Sequence, residues 1–167
     1  MIPFPSQKLR NRRLLVIEQD PLAARGLKDV LESFPEFIPD FIREMDLDSG
    51  WRRIKDQDAD ALLLSIGHIT PGAISFVRQI KGHRPKLTVI VISGDDRPDW
   101  VSELLQAGAD SYLHKKLNQA EFDRALARSL GSERLVAVPD PSGWLLRVLT
   151  IAKSRPGRSG RRPSQSN

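Results

Sequence analysis

Ser65 closes the run DADALLLSIGH, residues 58 to 68, where four successive apolar side chains stop at a hydroxyl. A serine becomes a nucleophile only when a neighbouring base takes its proton, and no activating base is evident in the sequence. Its setting, Leu63-Leu64-Ser65-Ile66-Gly67, lacks the first glycine of the G-x-S-x-G turn that exposes a hydrolase nucleophile. His68, His83 and His114 are separated without metal-ligand spacing. The segment EQDPLAARG, after an early apolar run, lacks the glycines that let a backbone approach a pyrophosphate. Hydrolase, metal and dinucleotide chemistries are therefore all disfavoured. The polar residues still to be explained stand at the ends of apolar runs: Glu18 and Gln19, Ser65, Ser93, and Lys115 with Lys116.

The elements that would position these residues alternate between strand and helix patterns. LLVIE (14 to 18), ALLLS (61 to 65) and LTVIVIS (87 to 93) are nearly continuous apolar runs, suited to strands buried on both faces. FIPDFI (37 to 42) contains Pro39, which cannot donate to a ladder and belongs at a sheet edge. DSYLH (110 to 114) is short and is placed at the opposite edge. Helical spacing links Ala23, Leu27, Val30, Leu31 and Phe34 behind Pro21. It also links Leu47, Trp51 and Ile54, and then Ala73, Val77 and Ile80. Val101, Leu104 and Leu105 mark a fourth helix between Pro98 and Gly108. Asn118 and Glu121 have capping-box spacing ahead of Phe122, Ala125, Leu126 and Leu130, with Gly131 as the stop. Five β/α units with edge-type strands second and fifth predict an α/β fold, a doubly wound five-stranded parallel sheet of order 2-1-3-4-5. Ligands of such sheets lie outside the carboxyl ends of the strands, where the first and third part. Glu18 and Ser65 occupy those two ends.

Charge and composition bound the remaining classes. The chain has 167 residues, close to one domain, and no cysteine, so it carries neither disulfides nor thiolate metal sites. No apolar run approaches a membrane span, and the expectation is a soluble, cytoplasmic protein. The formal charge of +5 is unevenly spread. Lys8, Arg10, Arg12 and Arg13 near the start, and Lys153, Arg155, Arg158, Arg161 and Arg162 in the tail, have no acids among them. Taking those nine from 26 bases leaves 17 against 21 acids, so the body is mildly acidic between basic arms.

Four blocks, LLVIEQDPLAARGLKDVLE, DADALLLSIGH, VIVISGDD and QAGADSYLHKK, together resemble the receiver domain of the response regulators of two-component signalling. The resemblance covers residues 12 to 131, about three-quarters of the chain. It implies a flavodoxin-like signalling module rather than an enzyme. The family's acidic pair falls on Glu18 and Gln19, its phosphate-accepting aspartate on Ser65, its hydroxyl residue on Ser93, its switch aromatic on Tyr112 and its lysine on Lys115. Lys116 follows where many receivers have proline, as happens often in the branch with helix-turn-helix outputs.

In the resembled family an aspartate attacks a phosphoryl group while Mg²⁺ and the lysine neutralise the gathering charge. Three acidic positions against one lysine would give −2, whereas Glu18 and Lys115 sum to about zero. Weak or absent Mg²⁺ binding is the expectation, with no other cofactor. The implied reading is a degenerate receiver crevice, with Lys115 paired structurally to Glu18 and Asp20 in the first helical turn. Val101, Leu104, Leu105, Tyr112, His114 and Lys116 would form the switch and interaction surface. Ordinary explanations stand beside this: Ser93 can simply end a strand, and Tyr112 can rest half-buried at an edge with a wet hydroxyl. The implied partner is a protein, a regulator or kinase of such a pathway or a second copy. Alternatives are phosphate acceptance by Ser65, and nucleic-acid association through the basic arms or a truncated output, the latter not favoured.

The expected organisation is an arm (1 to 11), the receiver-like domain (12 to 131) and a linker (132 to 141). A short apolar helix (142 to 153) follows, carrying Leu145, Val148, Leu149 and Ala152 on one stripe. A disordered basic tail (154 to 167) ends the chain, and its bases can meet phosphates only in a salt-sensitive, sequence-independent way.

Overall fold

The computed structural model describes residues 11–42, 47–55, 57–139 and 146–150. Strands β1 (Arg12–Ile17), β2 (Phe37–Ile42), β3 (Ala61–Ile66), β4 (Thr88–Ser93) and β5 (Ser111–His114) alternate with helices. These are α1 (Pro21–Leu31), α2 (Leu47–Ile54), α3 (Pro71–His83), α4 (Pro98–Gln106) and α5 (Gln119–Leu130). Three of the helices, α1, α3 and α5, start where a side chain satisfies an early N–H group. Asp20 caps α1 by accepting from the Leu22 N–H at 2.9 Å. Thr70 caps α3 through the Ala73 N–H, and Asn118 and Glu121 form the capping box of α5. Gly108 turns the chain from α4 toward β5 at a φ of 119°, where a Cβ would also meet Lys81 Cγ at 2.9 Å.

All five expected strands pair in parallel in the order 2-1-3-4-5, with proline-bearing β2 at one edge. Alternation along each strand divides the core in two. Leu15, Ile17, Leu62, Leu64, Val89, Val91 and Tyr112 pack with Ile54 of α2 and with α3 and α4. Leu14, Val16, Ala61, Leu63, Ile90, Ile92 and Leu113 pack under α1 and α5.

The far edge differs from expectation. A sixth strand, β6 (Leu135–Pro139), pairs in parallel with β5, and β7 (Leu146–Thr150) pairs antiparallel with β6. The stretch expected as a linker is thus part of the sheet, and a strand stands within the span expected as a helix. Leu135 and Ala137 enter one core and Val136 the other. Ser111 Oγ stitches the joint, donating to the Glu133 carbonyl at 3.0 Å and accepting from the Leu135 N–H at 3.2 Å. Pro139 and Pro141 argue against helix, but a proline at a strand end removes no needed donor. Over five residues such as Leu146–Thr150, helical and strand periodicities are hard to separate. β5 is therefore internal, and Tyr112 is completely buried rather than half-wet at an edge.

Candidate functional site

The carboxyl ends of β1, β3, β4 and β5 bring the candidate residues to one end of the sheet. Glu18 follows β1 directly and is 4 % exposed, and Ser65 near the end of β3 is equally buried. Ser65 Oγ donates a hydrogen bond to Glu18 Oε2, while Glu18 Oε1 accepts from the Asp20 N–H at 3.0 Å. Both carboxylate oxygens are thereby engaged from within the chain. The carboxylate that Ser65 meets is thus supplied across the sheet by Glu18, directly after β1.

Gln19 is exposed, and Asp20 caps α1 as its place in the first helix implies. Lys115 is also exposed, its N–H donating to the Ser93 carbonyl at 2.9 Å. No ion pair joins Lys115 to Glu18 among the described residues, so the expected structural pair is not formed. Ser65 and Asp20 satisfy Glu18 instead. Ser93 is buried, its hydroxyl donating to the Gly67 carbonyl and accepting from the Asp95 N–H, each at 3.1 Å.

Asp95 and Arg97, in the loop after β4, were not singled out in the sequence. The Asp95 carboxylate is 2 % exposed. Its Oδ2 accepts from the Ile69 N–H at 3.0 Å, and its Oδ1 accepts from Arg97 N at 3.1 Å and Nε at 2.8 Å. Arg97 Nη2 also pairs with Asp95 Oδ2 and donates to the Ile69 carbonyl at 3.2 Å. The Arg97 hydrogen bond, followed by backbone donors and the guanidinium charge, outweighs burial and holds the Asp95 carboxyl well below the usual carboxylate range. The signals in the sequence are the end of the block VIVISGDD and the charged run DDRPD, which leads into α4.

Tyr112 donates its hydroxyl to the Asp95 carbonyl, with the Ser93 carbonyl 3.4 Å away. Burial, the dominant influence, pushes its phenol up to about 12. His114 is 3 % exposed and accepts from the Lys116 N–H at its Nδ1, 3.0 Å away. Burial first, and then the Lys116 charge, lower its affinity for a proton. A cavity of about 700 Å³ between α4, β5 and β6 is lined by Val101, Leu105, His114 and Lys116, with Asp96, Pro98, Val136 and Val138 among its other walls. Leu104 is buried in the core beneath it. Of the expected interaction surface, four residues thus line this groove, and Leu104 and Tyr112 support it from within.

Arg12 is structural rather than part of an arm. It stacks on the Phe37 ring at 4.8 Å and donates to the Leu130 carbonyl at 3.4 Å. Lys153, Arg155, Arg158, Arg161 and Arg162 lie outside the described residues. No described helix is long and apolar enough to cross a membrane. Among the described residues no group of three His, Cys, Asp or Glu side chains could hold a metal ion.

Residues 14–127 match the family model of the response regulator receiver domain. The chain belongs to that family. Receiver domains are signalling modules of two-component systems, not enzymes. Among curated proteins, the receiver is 27 % identical over 115 residues to the transcriptional regulatory protein CitB of Klebsiella pneumoniae, covering 68 % of this chain and 48 % of that one. It thus spans about half the length of that relative. The isolated REC domain of RcsB from Salmonella enterica serovar Typhimurium superposes with a TM-score of 0.64 at 19 % identity, covering 80 % of this chain and 96 % of that one. A LuxR-family two-component response regulator from Aurantimonas sp. SI85-9A1 gives 0.67 at 19 % identity, covering 79 % and 93 %. At these identities the structural likeness establishes the fold.

Proposed function

We propose that this receiver works without aspartyl phosphorylation, as a protein-contact module in signal transduction or transcriptional regulation. The observation that carries this is the hydrogen bond from Ser65 to the buried Glu18. At the carboxyl end of β3, a neutral hydroxyl closes on the one buried carboxylate of the crevice. Mg²⁺ favours several anionic oxygens. Glu18 is the one buried carboxylate of the crevice and already accepts a hydrogen bond at each oxygen, while the Asp20 carboxylate caps α1, so the donor set is a poor fit for the ion. Lys115 is exposed and, among the described residues, has no carboxylate partner in the crevice. The α4, β5 and β6 groove, apolar in its walls and carrying Asp96 and Lys116, is the surface through which such a module would meet a partner. A regulator's output domain or a pathway kinase is the partner class, by analogy with the transcriptional regulatory protein it partly matches.

The same contact supports a second reading. Glu18 is the base that a serine nucleophile would need, so Ser65 could itself accept a phosphoryl group. Titration of the labelled protein with Mg²⁺ and beryllofluoride tests the first reading. Incubation with an acyl phosphate and Mg²⁺, read by intact mass, separates the second. Neither saturable shifts at Ser65, Ser93 and Lys115 nor a phosphorylated species is expected. Phosphate mapped to Ser65 would replace the first reading by the second.

A further inference from the structure

Asp95 is the most buried carboxylate among the described residues, yet every contact it makes is to a segment bordering the candidate site. Its Oδ2 holds the Ile69 N–H of the loop after β3, its Oδ1 holds Arg97 of its own loop, and its carbonyl receives the Tyr112 hydroxyl from β5. Arg97 closes the ring by donating to the Ile69 carbonyl. The Arg97 guanidinium also lies 4.6 Å over the Trp100 ring, in the first turn of α4. Ser93 extends the link, since its hydroxyl joins the Gly67 carbonyl to the Asp95 N–H. Beyond the pairing of β3, β4 and β5 in the sheet, the loops after β3 and β4 and the Tyr112 side chain are therefore tied by one charge pair and its neutral satellites.

We propose that Asp95 and Arg97 form an internal latch that holds the loop before α4, Tyr112 and the adjoining groove wall in one conformation without any added ligand. Charge-assisted hydrogen bonds to a buried carboxylate such as Asp95 are strong and directional, although the Arg97 side of the pair is half exposed. Removing either partner leaves the other with an uncompensated charge, and the loop that carries Pro98 and Val101 to the groove loses its anchor. The latch rests on the functional reading only in taking the groove as the surface that a partner meets. Its geometry stands whether or not the Ser65 crevice accepts a ligand.

Tyr112 is the chain's single tyrosine, which makes it a clean reporter. The full chain, labelled with ¹³C at the tyrosine ζ carbon and uniformly with ¹⁵N, is compared as wild type, Arg97→Gln and Asp95→Asn. Wild type is expected to give one sharp Tyr112 signal. In Arg97→Gln that signal splits or broadens, and the Ile69 amide exchanges about tenfold to hundredfold faster, the range for losing a charged hydrogen-bond partner. Core amides such as those of Leu63 and Ile90 keep their protection. Arg97 is half exposed, so this variant carries the test even if Asp95→Asn does not fold. A single unshifted Tyr112 signal with unchanged Ile69 exchange in folded Arg97→Gln would overturn the latch. So would a uniform rise in exchange across the core, which marks global destabilisation. Beryllofluoride shifts at Ser65 bear on the functional reading alone, whereas the Arg97→Gln spectra decide the latch.

Discussion

Replacing Ser65 by aspartate puts a second carboxylate where the hydroxyl now touches Glu18, and the cost follows from elementary electrostatics. Two unit charges about 4 Å apart repel by about 4 kcal/mol at an effective dielectric of about 20. The variant can escape by holding one proton. At pH 7 that costs about 1.36 kcal/mol for each of the roughly three units separating pH from an ordinary aspartate pKa, again about 4 kcal/mol. With side-chain relaxation, Ser65→Asp is expected to lose about 2–4 kcal/mol at pH 7 in chelated buffer, within the usual 5–15 kcal/mol stability of a domain. The sign of the pH dependence is fixed. A carboxyl pair that keeps its proton to higher pH when folded is no burden below about pH 4, and it destabilises progressively as pH rises. Mg²⁺ should restore stability, by about 2.7 kcal/mol at a hundredfold excess over its dissociation constant. Ser65→Ala is the control. It leaves Glu18 Oε2 without its donor, costs about 1–3 kcal/mol and gains no Mg²⁺ response. Urea unfolding at pH 4.5 and 7, with and without Mg²⁺, reads all of this. A Ser65→Asp midpoint equal to wild type at pH 7 without Mg²⁺, or an equal loss at both pH values, would refute the reasoning.

Two further outcomes follow from the same packing. His114 is buried, and its proton affinity is lowered first by that burial and then by Lys116, with Asp95 and Asp96 nearby partly offsetting it. A histidine held neutral by the fold gives stability that is present above its unfolded pKa of about 6.5 and is lost as pH falls through the lower folded value. His114→Gln should therefore flatten the decline in urea midpoint from pH 7 downward, and an unchanged slope would contradict this. Leu135→Ala should cost about 2–5 kcal/mol if β6 is part of the core. Exposed Ile38→Ala should stay within about 0.5 kcal/mol of wild type. Equal, small effects in urea melts would mean that residues 135–139 contribute as little as a linker.

The first five strands and five helices were legible because each carries a complete local signal. β1, β3 and β4 are apolar on both faces, Pro39 marks an edge, and Asn118 with Glu121 announces α5. β6 was not legible because LVAVP is short and stands between turn residues. What makes it a strand is the open edge of β5 and the Ser111 hydroxyl, both distant in sequence. The crevice was half legible. Sequence order placed Glu18 and Ser65 together, but their hydrogen bond depends on the register of β1 against β3. Lys115 was expected to face Glu18, and only three dimensions show that Ser65 and Asp20 satisfy it first. Asp95 and Arg97 stayed hidden because adjacent charges in a loop ordinarily stay in water. The burial of Asp95 comes from the Ile69 loop and Tyr112, which fold over it, while Arg97 pairs with it from the half-exposed side.

The central claim is that the crevice is closed by its own residues and takes no phosphoryl-like ligand. The most direct test is a ¹H–¹⁵N titration of the full chain with beryllofluoride and Mg²⁺, following the amides of Ser65, Ser93 and Lys115. No saturable movement at these three amides is expected at millimolar additions, with Tyr112 unshifted. Saturable shifts centred on Ser65 and Lys115 would contradict the claim and make this receiver a ligand-responsive one.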